Sequence, residues 1–251
     1  SKIKKLKNEV TIGVVGKYVD LKDAYKSLHE ALYHASFHNN LKLKINYIDS
    51  EDLEKDQPKN LLSDCDGILV PGGFGNRGFE GKISAIKYAR EKNIPFFGIC
   101  LGLQMAVVEF ARNVCDIKNA NSRESGRKIK DFVIDIMDNQ KDLDTKGGNM
   151  RLGDYPCEIK KSSKVSEAYK KNKISERHRH RYEVNPKYHS ILIKNGLVLS
   201  GLSPDGKLAE TIEIKDHPWF VACQFHPEFK SKPFQPHPLF VQFIKASSKK
   251  S

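Results

Sequence analysis

The chain has 251 residues, enough for one α/β domain with a full core, and no apolar run long enough to span a bilayer or serve as a signal peptide. Its five cysteines, odd in number and without C-x-x-C spacing, argue against a disulfide scaffold and a zinc site and suit a reducing, cytoplasmic compartment. A net charge of +12 raises the question of nucleic acid, but the lysines gather only at 2–7, 160–173 and 245–250, without interleaved aromatics, and read mostly as solvated surface.

In chain order, residues 10–16 form an apolar run that predicts a strand. Residues 23–37 predict a helix, with Leu28, Ala31, Leu32 and Ala35 on one stripe. Strands are predicted at 43–48 and 67–70, the second running into Pro71-Gly72-Gly73-Phe74-Gly75. Glycines at a strand's carboxyl end let N–H groups point into a site, for a phosphate or an oxyanion. No Gly-Lys-Ser/Thr follows, so this is no Walker loop, and on its own the segment could equally be a plain turn.

A helix near 82–91 and a strand at 94–99 lead to Gly98-Ile99-Cys100-Leu101-Gly102, with a further helix predicted over 101–112. A nucleophile on so sharp a strand-to-helix turn needs small neighbours two residues to either side. The helix N-terminus favours a thiolate there, through its dipole and free N–H groups. The spacing makes Cys100 a candidate nucleophile rather than a buried structural thiol.

The second half changes rhythm. Strands at 132–137, 155–159, 196–202 and 208–214, parted by Gly, Pro and Asp turns, suggest antiparallel hairpins added to the main sheet. Residues 138–148 are polar and turn-rich and predict a mobile loop. The run 219–225 reads as a strand returning to the core, ending in His226-Pro227-Glu228, and 239–246 as a last helix. The expected fold is α/β: an open, mainly parallel twisted sheet with helices on both faces plus antiparallel hairpins, its site beyond the strands' carboxyl ends.

His226 and Glu228 project to one side of an extended backbone, so the carboxylate can orient the imidazole as base for Cys100. In Arg177-His178-Arg179-His180-Arg181 the alternation places arginines on one strand face and histidines on the other. A solvated basic strand is one reading of that run. A metal site on His178 and His180 is disfavoured, because no carboxylate or Cys cluster accompanies them.

Pro71-Gly72-Gly73, the run from Gly98 to Gln104 and His226-Pro227-Glu228 resemble the three signatures of the triad-type, class I glutamine amidotransferases. Gly16-Lys17-Tyr18-Val19, Asp23-Ala24-Tyr25, the loop from Gly72 to Gly78, Asn149-Met150-Arg151-Leu152-Gly153 and the block from Glu176 to Asn185 resemble, more narrowly, the glutaminase domains of CTP synthases, over residues 10–244. The resemblance implies a catalytic triad of Cys100, His226 and Glu228, with an oxyanion hole from Gly73 and Leu101. It implies L-glutamine held by Gly73, Phe74, Gln104, Glu124, Arg181 and Tyr182, with Glu124 on the α-ammonium and Arg181 on the α-carboxylate. Arg77 falls in the region where GTP activates such enzymes, and no metal is expected on this chain.

The same resemblance implies residues 1–9 as a linker remnant, 10–246 as the amidotransferase domain and 247–251 as a disordered tail. It implies an N-terminal synthetase domain that binds ATP, UTP and Mg, in a homo-oligomer. Two departures stand out: Asn121-Ser122-Arg123-Glu124-Ser125 replaces the family's x-Ser-Thr-Glu-Phe, and Asn149 replaces a usual Thr. Alternatives are an amidotransferase serving another acceptor, a γ-glutamyl hydrolase, and a catalytically silent regulatory module.

Overall fold

The computed structural model describes residues 6, 8–17, 25–126, 129–136 and 150–249. Strands β1 (Glu9–Gly16), β2 (Lys42–Asp49), β3 (Gly67–Val70) and β4 (Phe96–Ile99) alternate with helices α1 (Lys26–His38), α2 (Pro58–Leu62) and α3 (Phe79–Glu91). After β4 come α4 (Leu101–Asn113), β5 (Asn121–Ser122), β6 (Phe132–Asp135), β7 (Arg151–Ile159), α5 (Lys164–Tyr169) and β8 (Lys173–His180). The chain continues through β9 (Glu183–Val184), α6 (His189–Lys194), β10 (Leu197–Leu202), β11 (Ala209–Ile214), β12 (Phe220–Cys223) and α7 (Pro238–Ser247).

Nine strands form one sheet in the order β2-β1-β3-β4-β12-β11-β10-β7-β8. The strands from β2 to β12 in that order run parallel, and the rest extend the sheet antiparallel. Two apolar clusters cover its faces, one built with α3 and α4, the other with α1 and α7. Phe97 from β4 meets Phe240 and Phe243 of α7 at ring separations of 5.2 and 5.7 Å, all fully buried. Each such ring contributes about 1.5–3 kcal/mol by leaving water.

Several expected boundaries move for identifiable reasons. Helix α3 starts at Phe79 rather than Lys82, because Gly78 takes a left-handed φ of 68° and turns the loop into the helix earlier. Helix α7 extends to Ser247, which is buried against the backbone of Gly67; a Cβ there would lie 2.2 Å from the Ser247 hydroxyl. Strand β6 does not join the main sheet: it pairs with β5 and β9 in a separate three-stranded sheet. The helices α2, α5 and α6 are too short, at five or six residues, for a helical stripe to announce them. The expected start of α1 at Asp23, the predicted loop at 138–148 and the last two residues lie outside the described residues.

Candidate active site

Three neighbouring parallel strands converge on one point. β4 ends at Ile99, immediately before Cys100, with β3 on one side and β12 on the other. The register sets Cys223 beside Ile99, and the Cys100 N–H donates to the Cys223 carbonyl at 2.7 Å. The chain leaving β12 therefore delivers His226 to Cys100, while the chain leaving β3 delivers Gly72 and Gly73 from the opposite flank.

Cys100 has φ 52° and ψ −100°, a conformation costing a non-glycine residue about 1–3 kcal/mol and held by the packing around it. The flanking glycines make that packing possible. A Cβ on Gly102 would lie 2.1 Å from the Val70 carbonyl oxygen, and one on Gly98 would lie 2.8 Å from the Gly102 backbone. Gly72 is equally constrained: a Cβ there would sit 2.7 Å from His226 Cε1.

His226 Nδ1 lies 2.7 Å from Glu228 Oε1, so the carboxylate fixes the ring as the sequence predicted. The ring also stacks on Phe229 at 5.4 Å. Burial alone would lower the His226 pKa, but the Cys100 charge facing the ring and the Glu228 carboxylate outweigh it and raise it to about 10. The arrangement thus favours the protonated imidazolium at His226.

The expected substrate residues come together. Gly73, Phe74, Gln104, Glu124, Arg181 and Tyr182 line one cavity of about 190 Å³ with Cys100, Met150 and His180. Gly73 also abuts Leu101, the residue after Cys100, whose side chain would lie 3.5 Å from a Cβ at 73. Glu124 is presented by a short 3-10 turn capped by Ser122, whose hydroxyl accepts from the Glu124 N–H at 3.2 Å. The unusual Arg123 anchors that turn, pairing with Asp135 and lying 4.2 Å over the Phe132 ring. Glu124 Oε1 accepts from the Gly75 N–H at 2.6 Å; burial raises its pKa against the pull of that amide, Lys17 and Arg181.

The glycine loop is held from behind. Lys17 donates to the carbonyls of Phe74 and Gly75 at 2.6 and 2.7 Å. Arg77 does not reach the Cys100 cavity: it donates to the Lys17 carbonyl at 3.1 Å, pairs with Glu51 at 3.7 Å, and lines a separate hollow of about 250 Å³.

The alternation of β8 holds, with Arg177 and Arg179 exposed and His178 and His180 buried. The expectation that no carboxylate accompanies these histidines is corrected. His178 Nε2 lies 3.6 Å from Glu210 Oε2, and His180 Nδ1 lies 3.5 Å from Glu183 Oε1. Arg151 bridges both carboxylates at 3.0 and 2.9 Å, which makes the cluster an ion network rather than a cation cage; no metal-binding group of three or more such side chains occurs among the described residues. Burial lowers His178 to about 2 and His180 to about 3, and raises Glu183 to about 8.

Sequence reasoning missed Gln224. It is fully buried, with its Nε2 3.7 Å from Cys100 Sγ. The available signal was an amide inside an apolar strand run, two residues before the candidate base, where burial demands partners.

The chain matches the family model "Glutamine amidotransferase class-I" over residues 20–246. It is 58% identical over 244 residues to a CTP synthase of Bdellovibrio bacteriovorus, covering 96% of this chain and 46% of that protein. The chain thus spans about half the length of the curated relatives it matches. A solved structure of the Trypanosoma brucei CTPS glutaminase domain with bound acivicin superposes with a TM-score of 0.90 at 42% identity, covering 96% of this chain and 95% of that one. A glutamine amidotransferase from Thermotoga maritima, TM-score 0.50 at 13% identity over 97% of this chain and 98% of that one, shares the fold. The converging strands, the strained Cys100 and these likenesses over nearly the whole chain agree: it belongs to the class I glutamine amidotransferases, among the glutaminase domains of CTP synthases.

Proposed function

We propose that this chain hydrolyses L-glutamine at Cys100 and supplies the ammonia for amination of UTP to CTP. The observation that carries the reading is one small cavity holding a candidate thiolate together with a carboxylate, Glu124, and a guanidinium, Arg181. An amino-acid zwitterion needs that pair of opposite charges, the guanidinium able to grip the carboxylate in bidentate fashion. Gln104 lines the same cavity, and its buried Oε1 has no partner among the described residues, which leaves it an acceptor for a substrate N–H.

The Cys100 thiolate attacks the carboxamide carbon, and the oxyanion is held by the N–H groups of Gly73 and Leu101, a contribution of about 3 kcal/mol per donor in comparable sites. The C–N bond breaks as His226 protonates the leaving ammonia. His226 then takes a proton from water, which cleaves the thioester to glutamate and restores the thiolate. Glu228 keeps the imidazole aligned through both halves.

ATP, UTP and Mg belong to a synthetase domain of the same polypeptide, in a homo-oligomer, with GTP acting as effector near Arg77. A thiolate nucleophile of this kind works in a reducing compartment such as the cytoplasm, and none of the five cysteines forms a disulfide. The test is ammonia release from glutamine by this chain, alone and with the synthetase domain and GTP. Release that vanishes in Cys100→Ala supports the reading, and release that persists contradicts it.

A further inference from the structure

We infer that Gln224 is a catalytic residue of this site: its side-chain amide donates a hydrogen bond to Cys100 Sγ and stabilises the thiolate. The inference rests on Cys100 being the nucleophile and adds a partner for its sulfur.

The orientation of the Gln224 amide follows from its neighbours. The Tyr182 carbonyl can only accept, and it lies 3.1 Å from Gln104 Nε2 and 3.1 Å from His180 Nδ1. Gln104 must therefore turn its NH₂ towards Tyr182. The second hydrogen of that NH₂ faces Gln224, whose Oε1 lies 3.5 Å away. Gln224 presents oxygen to Gln104 and is left with its NH₂ against the sulfur, at 3.7 Å. Flipping the amide would set NH₂ against NH₂ on one side and a carbonyl oxygen against a thiolate on the other. A backbone carbonyl three groups away thus fixes the donor at the nucleophile.

The placement is not incidental to the core. Gln224 has no exposed surface, and its backbone N–H is tied to the Glu210 carbonyl at 2.8 Å. A buried amide without partners is costly, so its hydrogen bonds to Gln104 and Cys100 explain why it stands in an apolar run. Gln224 Nε2 lies within hydrogen-bond reach of Sγ at 3.7 Å, and the His226 ring, whose pKa responds to Cys100, faces the same sulfur. A donor to sulfur serves twice. It holds the thiolate ready before attack, and it stabilises the same thiolate as it leaves the thioester when water completes hydrolysis.

Other titratable groups also bear on the sulfur. His226, backed by Glu228, flanks it, and Cys223 ends the adjacent strand. Tyr25, Lys26 and Arg179 line the cavity on the His226 side, and Glu124, His180 and Arg181 line the other. A substitution at 224 leaves all of these in place, so a change in the titration of Cys100 reports the amide.

The test is the pH dependence of alkylation by iodoacetamide, read by mass spectrometry on the Cys100 peptide to separate it from any labelling of the half-buried Cys115. In Gln224→Leu the pH midpoint is expected to rise by about one unit, leaving about tenfold less thiolate below it. Gln224→Glu, which sets a carboxylate against the sulfur, is expected to raise it further. Thermal melting verifies that both variants are folded. In the unsubstituted chain, the Gln224 side-chain amide resonance is expected to move with the same midpoint, a readout that needs no variant. Unmoved midpoints in folded variants, or an amide resonance indifferent to the Cys100 titration, overturn the assignment and leave Cys100 standing as nucleophile. Absence of Cys100 alkylation in the parent chain at every pH overturns both.

Discussion

At the scale of single residues, the site is decided by contacts that leave no room for alternatives. Gly72 presses on His226 Cε1 so closely that Gly72→Ala must push the imidazole away from the sulfur. We expect glutaminase kcat to fall about 100-fold, the usual cost of misplacing a catalytic group by about 1 Å, with the melting temperature little changed; an unaltered kcat places the ring elsewhere. The His226 pKa gives a second prediction. Burial pulls it down and the Cys100 charge pushes it up to about 10, so removing that charge in Cys100→Ala lets burial act. The imidazole, followed by ¹⁵N NMR, is expected to titrate well below 10 in that variant, and an unchanged titration rejects the ion pair. Cys100, His226 and Glu228 were legible because each signature is local: two glycines around a cysteine, and a His-x-Glu at extended spacing. Gln224 was not, since its meaning depends on Gln104 and Tyr182, which reach it from other parts of the chain.

At the scale of elements, β8 shows what a strand pattern reveals and conceals. Alternation assigned the arginines and histidines to opposite faces. It could not show that Glu183 of β9 and Glu210 of β11 meet those histidines, because that juxtaposition is set by sheet order. The same limit misplaced β6, whose four residues fit the main sheet as well as the small one until β5 and β9 are positioned. The buried cluster has a signature in pH. The Tyr182 carbonyl requires a proton on His180 Nδ1, so His180 Nε2 accepts from His178 Nδ1 at 2.8 Å. His178 Nε2 then faces Glu210 with no proton of its own, and burial raises the pKa of Glu210 as it does that of Glu183. Glu183, raised by burial from 4.5 to about 8, keeps its proton in the folded state after the unfolded state has lost it. The folded state therefore binds more protons between about pH 4.5 and 8, and this group's contribution to stability falls as pH rises through that window. His178 and His180, lowered by burial, act oppositely below about 6.5, so the fall is exposed between pH 6.5 and 8. Unfolding free energy by urea titration is expected to drop by about 2 kcal/mol over that interval from this group, and Glu183→Gln should remove the drop. A drop of the same size in the variant contradicts the protonated cluster.

At the scale of the whole molecule, the rhythm of strand and helix in the first half, with both glycine turns at strand ends, was enough to place the site beyond the carboxyl edge of a parallel sheet. The antiparallel extension and its short helices were less legible, since they carry polar, lysine-rich sequence with brief apolar stretches. The chain spans 46% of its CTP synthase relative, so control of the glutaminase is expected to involve residues beyond it. We predict low basal glutaminase activity that GTP hardly stimulates in this chain alone. In the full-length enzyme, Arg77→Ala is expected to lose GTP activation with glutamine while keeping CTP synthesis from free ammonia. Equal loss of both reactions, or strong GTP activation of this chain alone, contradicts an effector site split between the two parts.

Hydrolysis at this site requires that glutamine pass through a thioester on Cys100. Acid quenching during turnover, followed by peptide mapping by mass spectrometry, tests it most directly. One added γ-glutamyl group is expected on the Cys100 peptide, absent in Cys100→Ala together with all ammonia release. A γ-glutamyl group on Cys65, Cys115, Cys157 or Cys223, or ammonia release that survives in Cys100→Ala, contradicts it.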